Sequence, residues 1–239
     1  MIGLGTAINV AGIICGGLAG YFIGDRLKSR MQDMILSMIG VGVMLLGISG
    51  ALEHMLPIPG ADQSGGTIMM ILSLVVGSVI GEVLRIEDQF IRFGVWLKNK
   101  SNSENDSGFV DAFVTASLTV CVGAMAVIGS IKDGISGDYS FLAAKGVIDA
   151  VFIFIMTASL GKGSIFSAIP VAVLQGSLTM IAFFAGEFMP AAALANLSFV
   201  GSVLIFIIGL NMIRDKKIRV ANTLPAIVIA AVFGFFSVN

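Results

Sequence analysis

The strongest constraint on this chain is an apolar run of about twenty residues that returns eight times. The runs cover about 3–24, 34–52, 67–86, 109–130, 141–160, 165–186, 192–213 and 219–237. Roughly 20 apolar residues in a helix match the hydrocarbon core of a bilayer. Only 12% of the residues are charged, about half the share in ordinary soluble domains, and mean hydropathy is +0.99. A chain of 239 residues cannot hide that much apolar surface in its own core, so the lipid bilayer is its expected partner and solvent. In lipid every backbone polar group must find a partner inside the protein, and long unbroken runs achieve that as helices. The expected fold is an all-α polytopic membrane protein of eight transmembrane helices, or seven if Pro225 excludes the last.

Met1–Gly24 has no basic residue ahead of its apolar run, unlike a signal peptide, and reads as an uncleaved first span. Between the runs, basic residues alternate. The odd-numbered connections, with adjoining helix ends, hold 12 of the 14 lysines and arginines: Arg26, Lys28, Arg30; Arg85, Arg92, Lys98, Lys100; Lys162; Arg214, Lys216, Lys217, Arg219. The even ones hold only Lys132, and Lys145 lies within a span. Basic residues favour the cytoplasm, so both termini are expected outside it. A net charge of −1 argues against nucleic acid as a partner.

Lys98–Ser107 has no apolar residue and is expected to lack fixed structure. It divides the chain into a front three-span part (1–97), a polar linker (98–108) and a rear five-span part (109–239). Before it, Glu82–Leu97 either extends the third helix or lies along the inner membrane face, with Trp96 suited to the interfacial belt. Short echoes join the first span to the sixth (Ala7–Ala11 with Ala168–Ala172) and the second to the seventh (Leu46-Gly47-Ile48 with Ile208-Gly209-Leu210). The alternation turns these pairs in opposite directions, which suits an inverted-topology repeat of spans 1–3 and 6–8. Gly12, Gly16, Gly20 and Gly24 form a stripe in the first span, and Gly40, Gly47 and Gly50 another in the second. Such stripes allow close helix approach, within the chain or in a homo-oligomer.

The chemistry concentrates in the fifth span. Lys145 and Asp149 stand one turn apart there, and ionisable groups at membrane depth mark pathways or buried pairs. Lys145 is near enough to the outer end to snorkel; Asp149 is too deep and too short to do so. Asp111 opens the fourth span, where an acid suits the helix dipole. Thr115, Ser117 and Thr119 follow it. Gln175 lies mid-span in the sixth, after Pro170, which is expected to interrupt that run. Asp133 and Asp138 fall in a Gly-rich stretch that reads as a solvated turn. His54 beside Glu53 reads as a loop end. Cys15 and Cys121 sit in separate apolar runs and suggest neither a disulfide nor a thiolate metal site. No nucleotide, zincin or hydrolase motif is present, so no cofactor, metal or enzymatic activity is expected.

A set of residues along almost the whole chain resembles the YdfK/YqgA-like family of bacterial integral-membrane proteins, a domain of unknown function. The set comprises Gly5-Thr6, Asn9, Cys121-Val122-Gly123, Gly129-Ser130, Asp133-Gly134, Lys145, Asp149, Gly161-Lys162-Gly163, Gln175-Gly176, Ile208-Gly209-Leu210-Asn211 and Asn222-x-x-Pro225. Ala124 stands where that pattern has proline. The resemblance implies a bacterial inner-membrane location and adds Asn9 to the polar positions. Together these features point to a transporter or channel for an ion or small solute, with Asp149, Lys145, Gln175, Asp111 and Asn9 along its pathway. The competing expectation is a non-transporting membrane scaffold or partner-binding subunit.

Overall fold

Lipid leaves the backbone little choice, and the computed structural model of the chain is all-helical in the regular structure of its described residues. It describes residues 1–24, 29–56, 66–104, 106–121, 124–185, 190–214 and 218–236. Among these there are ten α-helices and no strand: α1 Leu4–Gly24, α2 Ser29–Met55, α3 Gly66–Leu84, α4 Ile86–Lys100, α5 Phe109–Cys121, α6 Ala124–Ser136, α7 Ser140–Leu160, α8 Ala168–Ala185, α9 Ala191–Ile213 and α10 Pro225–Phe236. The expected charges at Arg26, Lys28, Lys216 and Lys217 lie outside the described residues.

Six segments are long and apolar enough to cross a bilayer singly: α1, α2, α3, α7, α9, and α8 with the 3₁₀ turn Lys162–Ser167 before it. The expected fourth span is two helices, α5 and α6, inclined at 61°. The bend occurs although Ala124 replaces the expected proline. The expected eighth span is a shorter apolar segment, Val220–Phe236. Length and composition thus support six spans, or seven if α5 and α6 make one.

Both prolines expected to disturb spans sit instead at helix starts. Pro225 is the first residue of α10 and Pro170 the third of α8. The missing N–H has no partner to lose there, and the fixed φ suits a first turn. The third span does not run on through Leu97. Arg85 takes a φ of 50°, which ends α3 and starts α4 as a separate helix. The polar stretch after α4 is more ordered than expected. Ser103 N–H donates to Lys98 O (3.0 Å), Asp106 N–H to Ser103 O (2.9 Å) and Gly108 N–H to Asp106 Oδ1 (3.1 Å). Small polar side chains here close their own turns.

The helices cluster into two compact units that do not follow chain order. One comprises Met1–Met38, Phe90–Cys121 and Met125–Phe188. In it α1 lies parallel to α7: Gly5 faces Leu142, Gly12 faces Gly146, Gly16 faces Ala150 and Gly20 faces Phe154. A side chain at Gly12, Gly16 or Gly20 would run into backbone atoms of α7. Leu97, Phe109 and Phe113 form a further core, with Phe90 and Phe166 against it.

The other unit comprises Ile39–Gln89, Val122–Ala124 and Met189–Asn239. There α3 runs antiparallel to α10, with Gly77 on Ala226 and Gly81 on Asn222. α2 runs antiparallel to α9, with Gly40 on Gly209 and Gly47 on Phe206. Gly12, Gly16 and Gly20 of α1, and Gly40, Gly47 and Gly50 of α2, are therefore engaged within one chain. His54 is not in a loop; it belongs to the last turn of α2, its ring 5.9 Å from that of Phe199.

Candidate functional site

α7 carries its two ionisable groups well inside its length. Asp149 stands nine residues from Ser140, about 14 Å along the axis at 1.5 Å per residue. Lys145 is one turn nearer the start, on the same face. Both are buried, Lys145 at 7% and Asp149 at 4% exposure. The Lys145 ammonium donates to Asp149 Oδ2 and, at 2.8 Å, to the Val120 carbonyl. Lys145 does not snorkel.

The Val120 contact follows from the break between α5 and α6. α5 ends at Cys121, so the Val120 carbonyl has no N–H four residues on within the helix. The ammonium thus meets the negative end of the α5 dipole. An unbroken span would have kept this carbonyl in its own ladder. Asn9 of α1 completes the neighbourhood. Its backbone lies against Gly146, where a Cβ would come within 3.0 Å of Asn9 Cα. Its carboxamide neighbours the Asp149 carboxylate, yet neither amide atom completes a hydrogen bond of normal geometry.

The remaining expected positions behave differently. Gln175 is 1% exposed in α8, and neither amide atom has a hydrogen-bond partner. Thr179, one turn further, is also buried with its hydroxyl unpaired. No hydrogen bond joins Gln175 to the Lys145–Asp149 pair. Asp111 stays exposed in the first turn of α5, nine residues and about 14 Å along the helix from Val120. Thr119 donates back to Thr115 O at 2.8 Å, whereas Ser117 is buried and unpaired.

Two features are not legible as local motifs. Asp133 is no solvated turn: it lies in α6, fully buried, and its Oδ2 accepts from Gly5 N–H at 3.1 Å. An acid there satisfies an orphan donor in the first turn of α1 and opposes its dipole. Of the two acids Asp133 and Asp138, only Asp138 keeps the expected role. It is exposed, and hydrogen bonds from Ser140 Oγ (2.6 Å) and N–H (3.0 Å) hold its carboxyl below the usual range.

The second feature is a polar knot in the other unit. Asn222 Nδ2 donates to Glu82 Oε2 at 2.6 Å, and Asn222 Oδ1 accepts from Glu87 N–H at 2.8 Å. Arg219 Nη1 pairs with Glu82 Oε1 at 2.7 Å. Burial raises the Glu87 carboxyl above its usual range, against the opposing pull of the Ala221 backbone and Arg219. Among the described residues, no group of three or more His, Cys, Asp and Glu side chains is placed to hold a metal.

Residues 4–235 match the model of a family described as "Protein of unknown function (DUF554)". The chain is 26% identical over 231 residues to "Uncharacterized membrane protein YdfK" of Bacillus subtilis, covering 97% of this chain and 95% of that protein. It is 25% identical over 231 residues to "Uncharacterized protein YqgA" of Escherichia coli, covering 95% and 94%. No solved structure matches it.

Proposed function

The chain belongs to the DUF554 family, and on that premise we propose that it is a bacterial inner-membrane transporter or channel for an ion or small solute. Lys145, Asp149 and Asn9 form its ion-responsive centre, and Gln175 lies on its pathway. The observation that carries this reading is a buried ion pair mid-helix whose further acceptor is a carbonyl at a helix break. Two charges in lipid demand an exact electrical balance, and a proton or cation arriving at Asp149 changes it. Asn9 and Gln175 strengthen the reading. Asn9 adds a buried carboxamide beside the Asp149 carboxylate, and Gln175 is a buried carboxamide with donor and acceptor unpaired, a costly state that suits a group serving a passing polar species.

Eight crossings with both termini outside the cytoplasm accompany this proposal. Two adjacent parallel spans need an odd number of crossings between them. α1 and α7 are such a pair, and α2, α3 and the α5–α6 pair supply three. The antiparallel packing of α3 on α10 supports a final crossing by α10. An inverted repeat of spans 1–3 and 6–8 fits the opposite directions of α2 and α9. No catalytic step belongs to this reading.

The test is ion and metabolite flux into liposomes carrying the purified protein. Asp149→Asn abolishes flux while the protein stays monodisperse, and Gln175→Leu lowers it. Undiminished flux with a folded Asp149→Asn protein refutes the site. A scaffold reading is favoured by one fact: the pair also ties α7 to α5. It predicts no flux for any solute and a stable co-purifying partner.

A further inference from the structure

α4 is too short to span a bilayer. Its 15 residues extend about 22 Å at 1.5 Å per residue, against a hydrocarbon core of about 30 Å. Nor is it a water-soluble helix. Gly94 and Leu97 are buried, with Gly94 against Phe113 and Leu97 in the core formed with Phe109. Phe90 also packs on that core, and Phe93 meets Phe113 edge-on at 5.7 Å, but Ile91, Phe93, Val95 and Trp96 all stay exposed, Trp96 to 56%.

The exposed surface has an order. Arg92, Trp96 and Lys100 recur every four residues and line one ridge. Phe93 stacks on Trp96, with centroids 5.7 Å apart and planes 14° from parallel. Asp88 opens the ridge one turn earlier, at the helix N-terminus. From Gln89 to Lys100 every charged residue is basic: Arg92, Lys98 and Lys100. A flat aromatic pair with a cation one turn before and one turn after is electrically complementary to a phosphate layer and apolar enough to enter the acyl boundary.

We propose that α4 is an interfacial helix that docks on anionic phospholipid headgroups through the Arg92–Trp96–Lys100 ridge, with Phe93 and Trp96 set at the top of the acyl layer. The partner is the bilayer surface itself. The inference rests on the membrane character of the chain and stands apart from any transport activity.

Trp96 is the single tryptophan of the chain, so its fluorescence reports on α4 without labelling. The full chain is placed in nanodiscs of phosphatidylcholine, with or without phosphatidylglycerol. Brominated lipids with bromine at different chain depths quench Trp96, and dansyl-labelled lipids of each headgroup accept its energy. The expected result is quenching strongest for the shallowest bromines, with transfer greater to dansyl phosphatidylglycerol. That preference fades with salt, as the Debye length drops from about 10 Å at 0.1 M to about 3 Å at 1 M. Arg92→Gln lowers it by up to about fivefold, the weight of one basic residue at an anionic surface. Arg92→Gln with Lys100→Gln removes it. Three results overturn the proposal: no bromine quenching with full acrylamide access, strongest quenching at the bilayer centre, or equal transfer to both headgroups at low salt. The salt series on the unmutated chain decides the matter if the double variant does not fold.

Discussion

Gly12→Ala is the sharpest test of how α1 sits on α7. A methyl group at Gly12 would stand 2.7 Å from the Gly146 carbonyl oxygen and 3.3 Å from its carbon. Ordinary contact begins at 3.4 Å, so the helices must part by 3.4 less 2.7, or 0.7 Å. Both obstacles are backbone atoms, and neither can rotate away. A radial gap of about 0.5–1 Å forfeits a quarter to a half of the dispersion attraction of each facing atom pair. Overpacking of this kind costs about 1–3 kcal/mol, while alanine regains up to about 1 kcal/mol of helix propensity over glycine. The expected net loss runs up to about 2 kcal/mol, as much as a roughly thirtyfold fall in the folding equilibrium, and it is about 1–3 kcal/mol against a control that gains the propensity alone. Gly42→Ala in α2 is the control, because nothing lies within 4 Å of a methyl there. It is expected to be neutral or to stabilise by up to about 1 kcal/mol. Equilibrium unfolding in mixed micelles compares the two. Equal stability of Gly12→Ala and Gly42→Ala refutes the close approach of α1 and α7.

Other outcomes follow from the same geometry. Lys145→Met leaves the Asp149 carboxylate buried without its partner and is expected to cost about 3–5 kcal/mol, whereas Lys145→Met with Asp149→Leu recovers most of that stability; the same unfolding measurement checks both. Glu87 has a raised carboxyl pKa in the folded chain, so the folded state binds more protons between the unfolded value and the raised one. Its contribution is full below the ordinary value of 4.5 and is lost as pH rises through the folded value. Glu87→Gln should flatten that fall in a pH series of unfolding midpoints. Asp133→Asn removes the charge facing Gly5 N–H and is expected to cost about 1 kcal/mol, with faster hydrogen exchange confined to the first turn of α1. A reporter fused after Asn239 should read as extracytoplasmic; a cytoplasmic reading refutes the eight-crossing topology.

Much of the candidate site was legible because lipid punishes charge. Lys145 and Asp149 stand out in an apolar run for that reason alone, and their four-residue spacing already put them on one face. Their partners were not legible. Val120 contributes a backbone carbonyl, which any residue has, and it is free only because α5 ends one residue later. Asn9 carried a signal through the family resemblance, but its neighbour Gly146 lies 137 positions away. Asp133 sat among Gly, Ser and Asp, a turn composition, and the burial that puts it in α6 comes from distant helices. Asn222 carried a signal only through the family resemblance; its hold on Glu82 and Glu87 needs the antiparallel fit of α3 on α10.

The sequence by itself determined the solvent and the secondary structure. Long apolar runs require a hydrocarbon environment, and the unmet hydrogen bonds of a backbone in hydrocarbon require helices. Pro170 and Pro225 read in the sequence as breaks, and only the fold places them in the first turns of α8 and α10. Tertiary structure decided what the glycines and charges are for. Glycine stripes permit close contact without naming the partner; the parallel lie of α7 on α1 names it. A carboxylate in lipid demands neutralisation without saying by what. Only the meeting of α1, α5 and α7 supplies Lys145, the Val120 carbonyl and Asn9, because that meeting depends on residues far apart in the chain.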